Sequence, residues 1–242
     1  MQGRSKTGWE DKVKDRTSGA EVSLRQVAYQ RIEALLNAGT LVPGQVISQR
    51  ELVEMTETTL GSVREAIPRF EAEGLLVTLP QRGLMVPSLD VSFIRDAYQL
   101  RLILETAAVP DVVRKIDRAQ IATWLDWHNE ARQQLAGGAA SAELPQDLQY
   151  RDWDIHSQIV HATGNQLMAN VYRVNAIKIR MTVQTRIRVT QQNAQRVIGE
   201  HIAFLEPLLA GNVAAAQAAL GRHIGNSLRH ALGDELLSPL TA

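Results

Sequence analysis

The sequence predicts a mainly α-helical protein, with an N-terminal winged helix-turn-helix that carries a small β-hairpin wing and a C-terminal all-α bundle of six or seven helices. Three observations predict this fold. Apolar residues recur every three or four positions in three short runs across residues 24–73. Two short apolar runs then flank a Pro-Gly turn. From Val91 onward the helical spacing returns in longer runs, interrupted at Gly164-Asn165 and Gly211-Asn212.

The amino-acid composition is typical of a globular protein and limits the other classes to which the chain could belong. The chain has 242 residues, 45% hydrophobic and 21% charged, which is ordinary for a soluble globular protein of one large or two modest domains. It contains no apolar run of about 18 residues, and its first 20 residues lack an apolar segment, so we expect no membrane span and no secretory signal. The absence of cysteine leaves histidine and carboxylate as metal ligands and fits a cytoplasmic protein.

The first predicted domain covers residues 21–87 and follows a polar arm, residues 1–20, that we expect to be disordered. Its first helix ends at residues 37–39, where Asn and Gly tolerate the left-handed conformation. Ser48 and Glu51 then form a capping box at the start of the second helix. After a polar turn, Thr59 caps the third helix.

A hairpin follows the third helix. Residues 75–79 and 84–86 are apolar, and Pro80-Gln81-Arg82-Gly83 separates them. Three helices and a hairpin make a winged helix, whose third helix fits the major groove of DNA while the wing lies over the backbone or the minor groove.

Five residues are candidates for DNA contact. Arg50 lies near the N-terminus of the second helix, which favours phosphate. Arg64 lies on the face of the third helix opposite the apolar residues, Thr59 and Ser62 offer hydroxyl groups at its start, and Arg82 lies at the wing tip. The alternative for each arginine is a solvated surface residue. A net charge of zero argues weakly against DNA, so the prediction depends on the placement of these few residues.

Order and spacing across residues 27–86 resemble the N-terminal domain of GntR-family transcription regulators. The stretches that carry this resemblance are AYQRIEALLNAGTLVPGQVISQRELVEM and VREAIPRFEAEGLLVTLPQRGLMV. The resemblance implies that Arg50 and Arg64 contact DNA and that Arg82-Gly83 forms the wing tip, which makes Gly83 a sixth candidate for DNA contact.

The chain departs from the GntR pattern at two positions. Leu60 stands where the family often has a DNA-contacting arginine. Pro68 lies inside the third helix, where it removes the hydrogen bond to the carbonyl of Arg64, so we expect a bend there.

The second predicted domain, residues 88–242, carries a candidate metal site. Asp152 and His156 are four positions apart and share a helical face. His201 and His223 lie at similar distances before and after Gly211, so two antiparallel helices would hold them at similar heights. Three nitrogens and one oxygen suit Zn²⁺, Ni²⁺, Mn²⁺ or Fe²⁺. The alternative is that these histidines are unrelated core or surface residues.

The same pattern resembles the FCD domain, the C-terminal ligand-binding domain of the FadR-like subgroup of the GntR family. The resemblance covers about residues 91–232 and implies that the four residues bind a metal, for which Zn²⁺ is our first choice, beside a cavity for a small effector that is often a carboxylate. Arg101 resembles a family arginine that reaches into this cavity, where it would bind a carboxylate in a bidentate manner. Arg180 belongs to a run of basic residues that either adds charge to the cavity or forms a solvated face.

These features predict a DNA-binding transcription regulator, not an enzyme. We expect a cytoplasmic homodimer that binds a two-fold symmetric DNA operator, and we expect a repressor whose affinity for the operator changes when a small organic acid binds at the metal. One alternative is a metal-dependent hydrolase. It needs a general base beside the metal, and Glu200, adjacent to His201, points to another face. Another is a structural metal, which predicts no cavity.

Overall fold

The computed structural model describes residues 23–233, and the predicted arm at residues 1–20 lies outside them. The first domain within this range contains three helices and three short strands, in the order α1 (Leu24–Ala38), β1 (Val46–Ile47), α2 (Gln49–Thr56), α3 (Leu60–Ala72), β2 (Val77–Leu79) and β3 (Gly83–Met85). The second contains α4 (Val91–Lys115), α5 (Arg118–Ala136), α6 (Leu144–His161), α7 (Gln166–Thr182), a π-helical segment (Val183–Ile187), α8 (Ala194–Leu209) and α9 (Val213–Leu232). The mainly α fold class and a bundle of six helices are confirmed over the described range.

Side-chain caps and one apolar core hold the first domain together. Ser48 and Glu51 make both hydrogen bonds of the predicted capping box, which fixes the start of α2. Phe70 is fully buried and stacks on the ring of Tyr29 from α1, with 4.4 Å between the ring centroids. Burial of one such side chain contributes about 1.5–3 kcal/mol, so this contact anchors α3 against α1.

Helix α3 continues through Pro68 to Ala72. The proline lacks the N–H that would bond to the carbonyl of Arg64, but it does not end the helix. The expected bend near this position stays a prediction.

The wing is a three-stranded antiparallel sheet with the strand order β1-β3-β2. The predicted hairpin is present as β2 and β3, although β2 begins at Val77 and not at Leu75. Sequence reading missed β1, which pairs Val46 with Met85 and Ile47 with Leu84. A strand of two residues is too short to show an alternating pattern.

Gly83 is essential to the packing of this sheet. Its φ angle is +104°, and a Cβ atom there would lie 2.6 Å from the carbonyl oxygen of Ile47. We expect Gly83→Ala to lower the free energy of unfolding of the first domain by about 1–3 kcal/mol. Thermal unfolding measures this effect, with Gly138→Ala as the control. Gly138 has a φ angle of +68° but open space around it, so an equal loss in both variants would show that the close approach to Ile47 is unimportant.

The bundle is built around α4, α8 and α9. Helix α4 packs against α9 and α7, and α8 packs against α9 and α5. The apolar spacing predicts helices over about residues 146–163 and 166–190, and the structure differs at one boundary of each. The second of these helices changes to the π-helical segment after Thr182. The first begins earlier, at Leu144, with Pro145 in its first turn, where a proline is tolerated.

Among residues 23–233, every helix is too short or too polar to cross a lipid bilayer.

Candidate metal centre and DNA-binding surface

Asp152, His156, His201 and His223 meet in the interior of the bundle, and we call them the His₃Asp cluster. They come from α6, α8 and α9, and each is buried. Each offers one ligand atom, and these four atoms lie within 4.8 Å of one another. The Oδ1 atom of Asp152 lies 3.0 Å from Nε2 of His201, 3.5 Å from Nε2 of His156 and 3.7 Å from Nε2 of His223. The helical spacing therefore predicted the convergence of the cluster correctly.

Each histidine of the cluster turns its Nδ1 atom outward to a hydrogen-bond partner. Nδ1 of His156 lies 2.5 Å from Oε2 of Glu105, and Nδ1 of His223 lies 2.9 Å from Oε2 of Glu200. A carboxylate accepts hydrogen bonds, so these Nδ1 atoms donate, and each ring in its neutral form has its Nε2 lone pair directed at the centre of the cluster. This arrangement of outer partners is typical of histidines that bind metals.

His128 fixes the tautomer of the third histidine. Its Nδ1 atom lies 2.7 Å from the carbonyl oxygen of Trp124, which can only accept, so Nδ1 carries the proton. Burial lowers the pKa of His128 to about 3 and that of His201 to about 4, so both rings are neutral near pH 7. Nε2 of His128 therefore accepts from Nδ1 of His201 at 2.8 Å, which leaves Nε2 of His201 without a proton opposite Asp152.

The donor set fits a divalent metal ion. With neutral rings, unprotonated Nε2 atoms face each other and a carboxylate oxygen, and Nε2 of His156 lies 3.2 Å from Nε2 of His223. Ligand atoms that bind one Zn²⁺ at about 2.0–2.1 Å lie about 3–3.5 Å apart. The separations between neighbouring ligand atoms in the cluster fall in or close to this range. A cation between them would remove the repulsion between their lone pairs.

A proton on His156 would compete with a metal ion for the centre of the cluster. Burial and Arg101 oppose protonation of His156, but Glu105 and Asp152 outweigh them and raise its pKa. Burial also opposes ionisation of Asp152, but His156 and His201 hold the pKa of its carboxyl well below the usual value. The carboxylate is therefore available as a ligand, and a cation bound at the cluster would displace a proton from His156.

Arg101 lies beside the cluster and is 3% exposed. Its Nε donates to Oε1 of Glu105 at 2.9 Å, and the hydroxyl of Tyr172 donates to the same oxygen at 2.8 Å. Burial opposes ionisation of Glu105, but Arg101 and His156 lower its pKa to about 2. Glu105 thus links the predicted effector-binding arginine to a cluster histidine.

A small cavity, which we call the inner cavity, adjoins the cluster. Its volume is about 30 Å³, and it is lined by Arg101, Gln149, Asp152, Arg196, His223 and Ser227, together with apolar residues of the π-helical segment and of α8. This volume holds about two water molecules or the two oxygens of one carboxylate.

Arg180 lies elsewhere. Its Nη1 donates to Oδ1 of Asn37 in α1 at 2.7 Å, and its guanidinium group lies over the ring of Trp153. It is absent from the lining of the inner cavity. The position of Arg180 therefore does not support the hypothesis that it adds charge to that cavity, because its side chain contacts the first domain instead.

Three of the predicted DNA-contacting side chains lie on the surface. Arg50, Arg64 and Arg82 are exposed, on α2, α3 and the turn between β2 and β3. Nε of Arg64 donates to Oε1 of Gln49 at 3.0 Å, so a contact between α2 and α3 orients this side chain. Their contact with DNA stays a prediction.

The other three predicted DNA-contacting residues have structural roles. Ser62 is buried, and its hydroxyl and that of Thr59 complete a capping box at the start of α3. Gly83 lies within β3 against Ile47 and not at the exposed tip. Thr59 remains exposed and Leu60 is half-buried at the first position of α3.

Sequence reading missed the outer partners of the cluster. Glu105 lies on α4 and His128 on α5, far from the histidines in sequence and close only after folding. The sequence predicts only that Glu200 faces away from its neighbour His201. Glu200 does face away, but its carboxylate accepts a hydrogen bond from Nδ1 of His223. An acidic residue within an apolar stretch, four positions after Arg101, was the one available signal for Glu105.

A winged helix-turn-helix joined to a helical bundle is an arrangement typical of DNA-binding transcription regulators. Two family models match the chain, "Bacterial regulatory proteins, gntR family" over residues 24–86 and "FCD domain" over residues 96–226. The chain therefore belongs to the GntR family of regulators that carry an FCD domain, as the sequence motifs predicted.

Curated relatives agree with this assignment, and a solved structure has a similar fold. The chain is 22% identical to the HTH-type transcriptional regulator YdhC of Bacillus subtilis, over 84% of this chain and 88% of that protein. It is 23% identical to LutR of the same organism, over 79% and 94%. The structure of McbR/YncC of E. coli is similar, with a TM-score of 0.72, 16% identity and coverage of 88% and 99%. The family relationship confirms a regulator and not an enzyme.

Proposed function

We propose that the His₃Asp cluster binds a divalent metal ion and that a small organic acid bound beside this ion controls the affinity of the protein for a two-fold symmetric DNA operator. One observation carries the proposal. Three Nε2 atoms and one carboxylate oxygen face a common point, and each histidine is held in the tautomer that binds metal. Zn²⁺ is our first choice. Ni²⁺, Mn²⁺ and Fe²⁺ are the alternatives, because each accepts some of the same histidine and carboxylate ligands.

Arg101 supports an acid as the effector. It lines the inner cavity beside Asp152 and His223, and its Nε is its one nitrogen that is hydrogen-bonded to protein in the described range. Its terminal nitrogens can therefore bind a carboxylate. The bound metal would supply positive charge at the same point.

A hydrolase is not favoured. The carboxylate of Glu200 accepts hydrogen bonds from Nδ1 of His223, from Arg196 and from Asn226. It lies on the outer side of the His223 ring, where it cannot take a proton from a water molecule inside the cluster.

Helix α7 supports a connection between the cluster and the DNA-binding domain. Tyr172 donates to Glu105, which holds His156. The next residue, Arg173, donates to Oε1 of Glu33 at 2.8 Å and to Oε1 of Glu73 at 3.0 Å. One helix thus contacts the outer partner of a cluster histidine and both α1 and the end of α3. An effector that changes the position of Glu105 would tilt α7 and the winged helix with it.

A second copy of the chain would complete the DNA-binding unit. Leu102 and Ile103 on α4 are 37% and 56% exposed. Exposed neighbouring apolar side chains are typical of an interface between subunits. We expect Ile103→Glu to convert the dimer to a monomer and to lower operator affinity, as measured by analytical ultracentrifugation and DNA titration.

The matched control for this prediction is Leu167→Glu. Leu167 is 77% exposed and lies on α7, so the same charge is added at a different apolar surface. Dissociation of the Leu167 variant, with an intact dimer for Ile103→Glu, would assign the interface to α7 instead.

We expect the protein to be cytoplasmic, since its operator lies on the chromosome. We also expect it to be a repressor that the acid releases from DNA.

A thermal-shift screen of small carboxylic acids, with and without a chelator, tests the proposed function. An acid at 100 times its Kd stabilises the metal-loaded protein by about 2.7 kcal/mol, or roughly 5–10 °C. If every acid fails to raise the melting temperature of the metal-loaded protein, control by an acid is wrong.

A further inference from the structure

A second, larger cavity lies between the two domains, and we call it the outer chamber. Its volume is about 270 Å³. Its walls are residues 37–43 at the end of α1, the first half of α6, and residues 181–188 of α7, the π-helical segment and Arg188. It thus lies between the DNA-binding domain and the bundle.

Gln149 and the π-helical segment separate the outer chamber from the inner cavity. Gln149 lines both, is 8% exposed, and accepts a hydrogen bond from the backbone N–H of Val189 at 3.2 Å. The π-helical segment forms the rest of the wall. Val183 and Ile187 line the inner cavity, whereas Gln184 and Thr185 line the outer chamber. Short π-helical turns are frequent at functional sites, and this one is shared by two cavities.

The sizes of the two cavities define the class of ligand. The inner cavity holds a carboxylate group but not the body of an organic acid, whereas the outer chamber approaches the 300 Å³ typical of small-molecule sites. The rings of Tyr150 and Trp153 meet edge to face in the chamber wall, with 5.8 Å between centroids. These rings offer a planar apolar group a surface to pack against, among polar side chains that include Gln146, Gln184 and Arg188.

We propose that the two cavities form one binding site for an elongated organic acid with an aromatic body, such as an arylalkanoic acid. The carboxylate lies in the inner cavity near Arg101, the Gln149 side chain turns aside, and the aromatic body lies in the outer chamber. This inference rests on the proposed control by an acid and specifies which acids act.

The proposed pose also places the ligand against the DNA-binding domain. Nε2 of Gln184, in the chamber wall, donates to the carbonyl oxygen of Asn37 at the end of α1, at 2.7 Å. An aromatic body in the chamber contacts this bridge and the turn at residues 41–43. A short acid that fills the inner cavity alone does not reach α1.

Calorimetric titration of the zinc-loaded full chain with acetate and with 3-phenylpropanoate tests the inference. The test variant is Gln146→Trp, since Gln146 is an exposed residue of the chamber wall and a tryptophan there fills the chamber. The control is Gln134→Trp, the same change at an exposed position of α5 outside the chamber. Zinc content is measured for all three proteins.

We expect 3-phenylpropanoate to bind the wild-type protein at least about 10-fold more tightly than acetate, which corresponds to about 1.4 kcal/mol. Gln146→Trp should remove this preference and leave acetate affinity and zinc content unchanged, and Gln134→Trp should keep it. If both acids bind and Gln146→Trp keeps the preference, the aromatic body lies elsewhere and the inference is wrong, although control by an acid stands. If neither acid binds the zinc-loaded wild type, both the inference and the proposed acid effector are wrong.

Discussion

His223→Ala should lower the affinity of the protein for Zn²⁺ by more than about 100-fold, because loss of an outer partner of a ligand alone costs roughly 10–100-fold. His223 is 4% exposed and contributes Nε2 to the cluster. The remaining two histidines and Asp152 would bind metal with one ligand fewer. Competition titration with a chromophoric chelator measures the affinity, and the rise in melting temperature on addition of zinc should disappear with it.

His230→Ala is the matched control for this prediction. His230 lies on the same helix α9, but it is exposed and outside the cluster. Its removal should leave zinc affinity unchanged. Equal zinc affinity of the His223 and His230 variants would show that the cluster is a buried polar network and not a metal site.

Arg64→Ala should weaken binding to the operator by about 5–150-fold, since an arginine that reaches base edges contributes about 1–3 kcal/mol. Arg64 is exposed on α3, and its contact with Gln49 presents it beside the N-terminus of α2. The DNA is a fragment selected by the wild-type protein from a random-sequence library, and fluorescence anisotropy at fixed salt concentration measures the Kd. Zinc affinity should be unaffected because the cluster lies in the other domain.

Arg118→Ala provides the control for Arg64. Arg118 is an exposed arginine at the start of α5, in the bundle, so the net charge changes by the same amount. A similar loss of DNA affinity in both variants would indicate a general charge effect and would contradict the assignment of α3 as the recognition helix.

The cluster could be predicted from the sequence because helix geometry fixes which residues share a face. Asp152 and His156 are one turn apart, and the breaks around Gly164 and Gly211 define the helices that carry the other ligands. The outer partners could not be predicted in this way. Glu105 and His128 contact the cluster through tertiary packing, at separations of 51 and 73 positions from the histidines that they hold.

In the first domain, too, local patterns could be predicted from the sequence, whereas contacts that depend on tertiary packing could not. The capping box at Ser48 is a local pattern and was predicted, whereas β1 pairs only two residues and has no readable periodicity. Ser62 and Gly83 are close in sequence to exposed positions that we predict to contact DNA, and only the folded structure shows that one caps α3 and the other packs against Ile47. The sequence shows that Arg180 belongs to a run of basic residues, but only the folded structure shows that its side chain hydrogen-bonds Asn37 of α1.

Control of DNA binding from the metal centre is tested most directly by the operator Kd of the zinc-loaded protein, with and without the acid that stabilises it most in the thermal-shift screen. Coupling of ordinary strength between two sites changes the Kd by about 5–150-fold. We predict a weakening of this size for the wild-type protein and no effect of the acid on His223→Ala, which retains the winged helix but lacks a complete cluster. An unchanged Kd for the wild type, or an equal change in both proteins, would contradict control through the His₃Asp cluster.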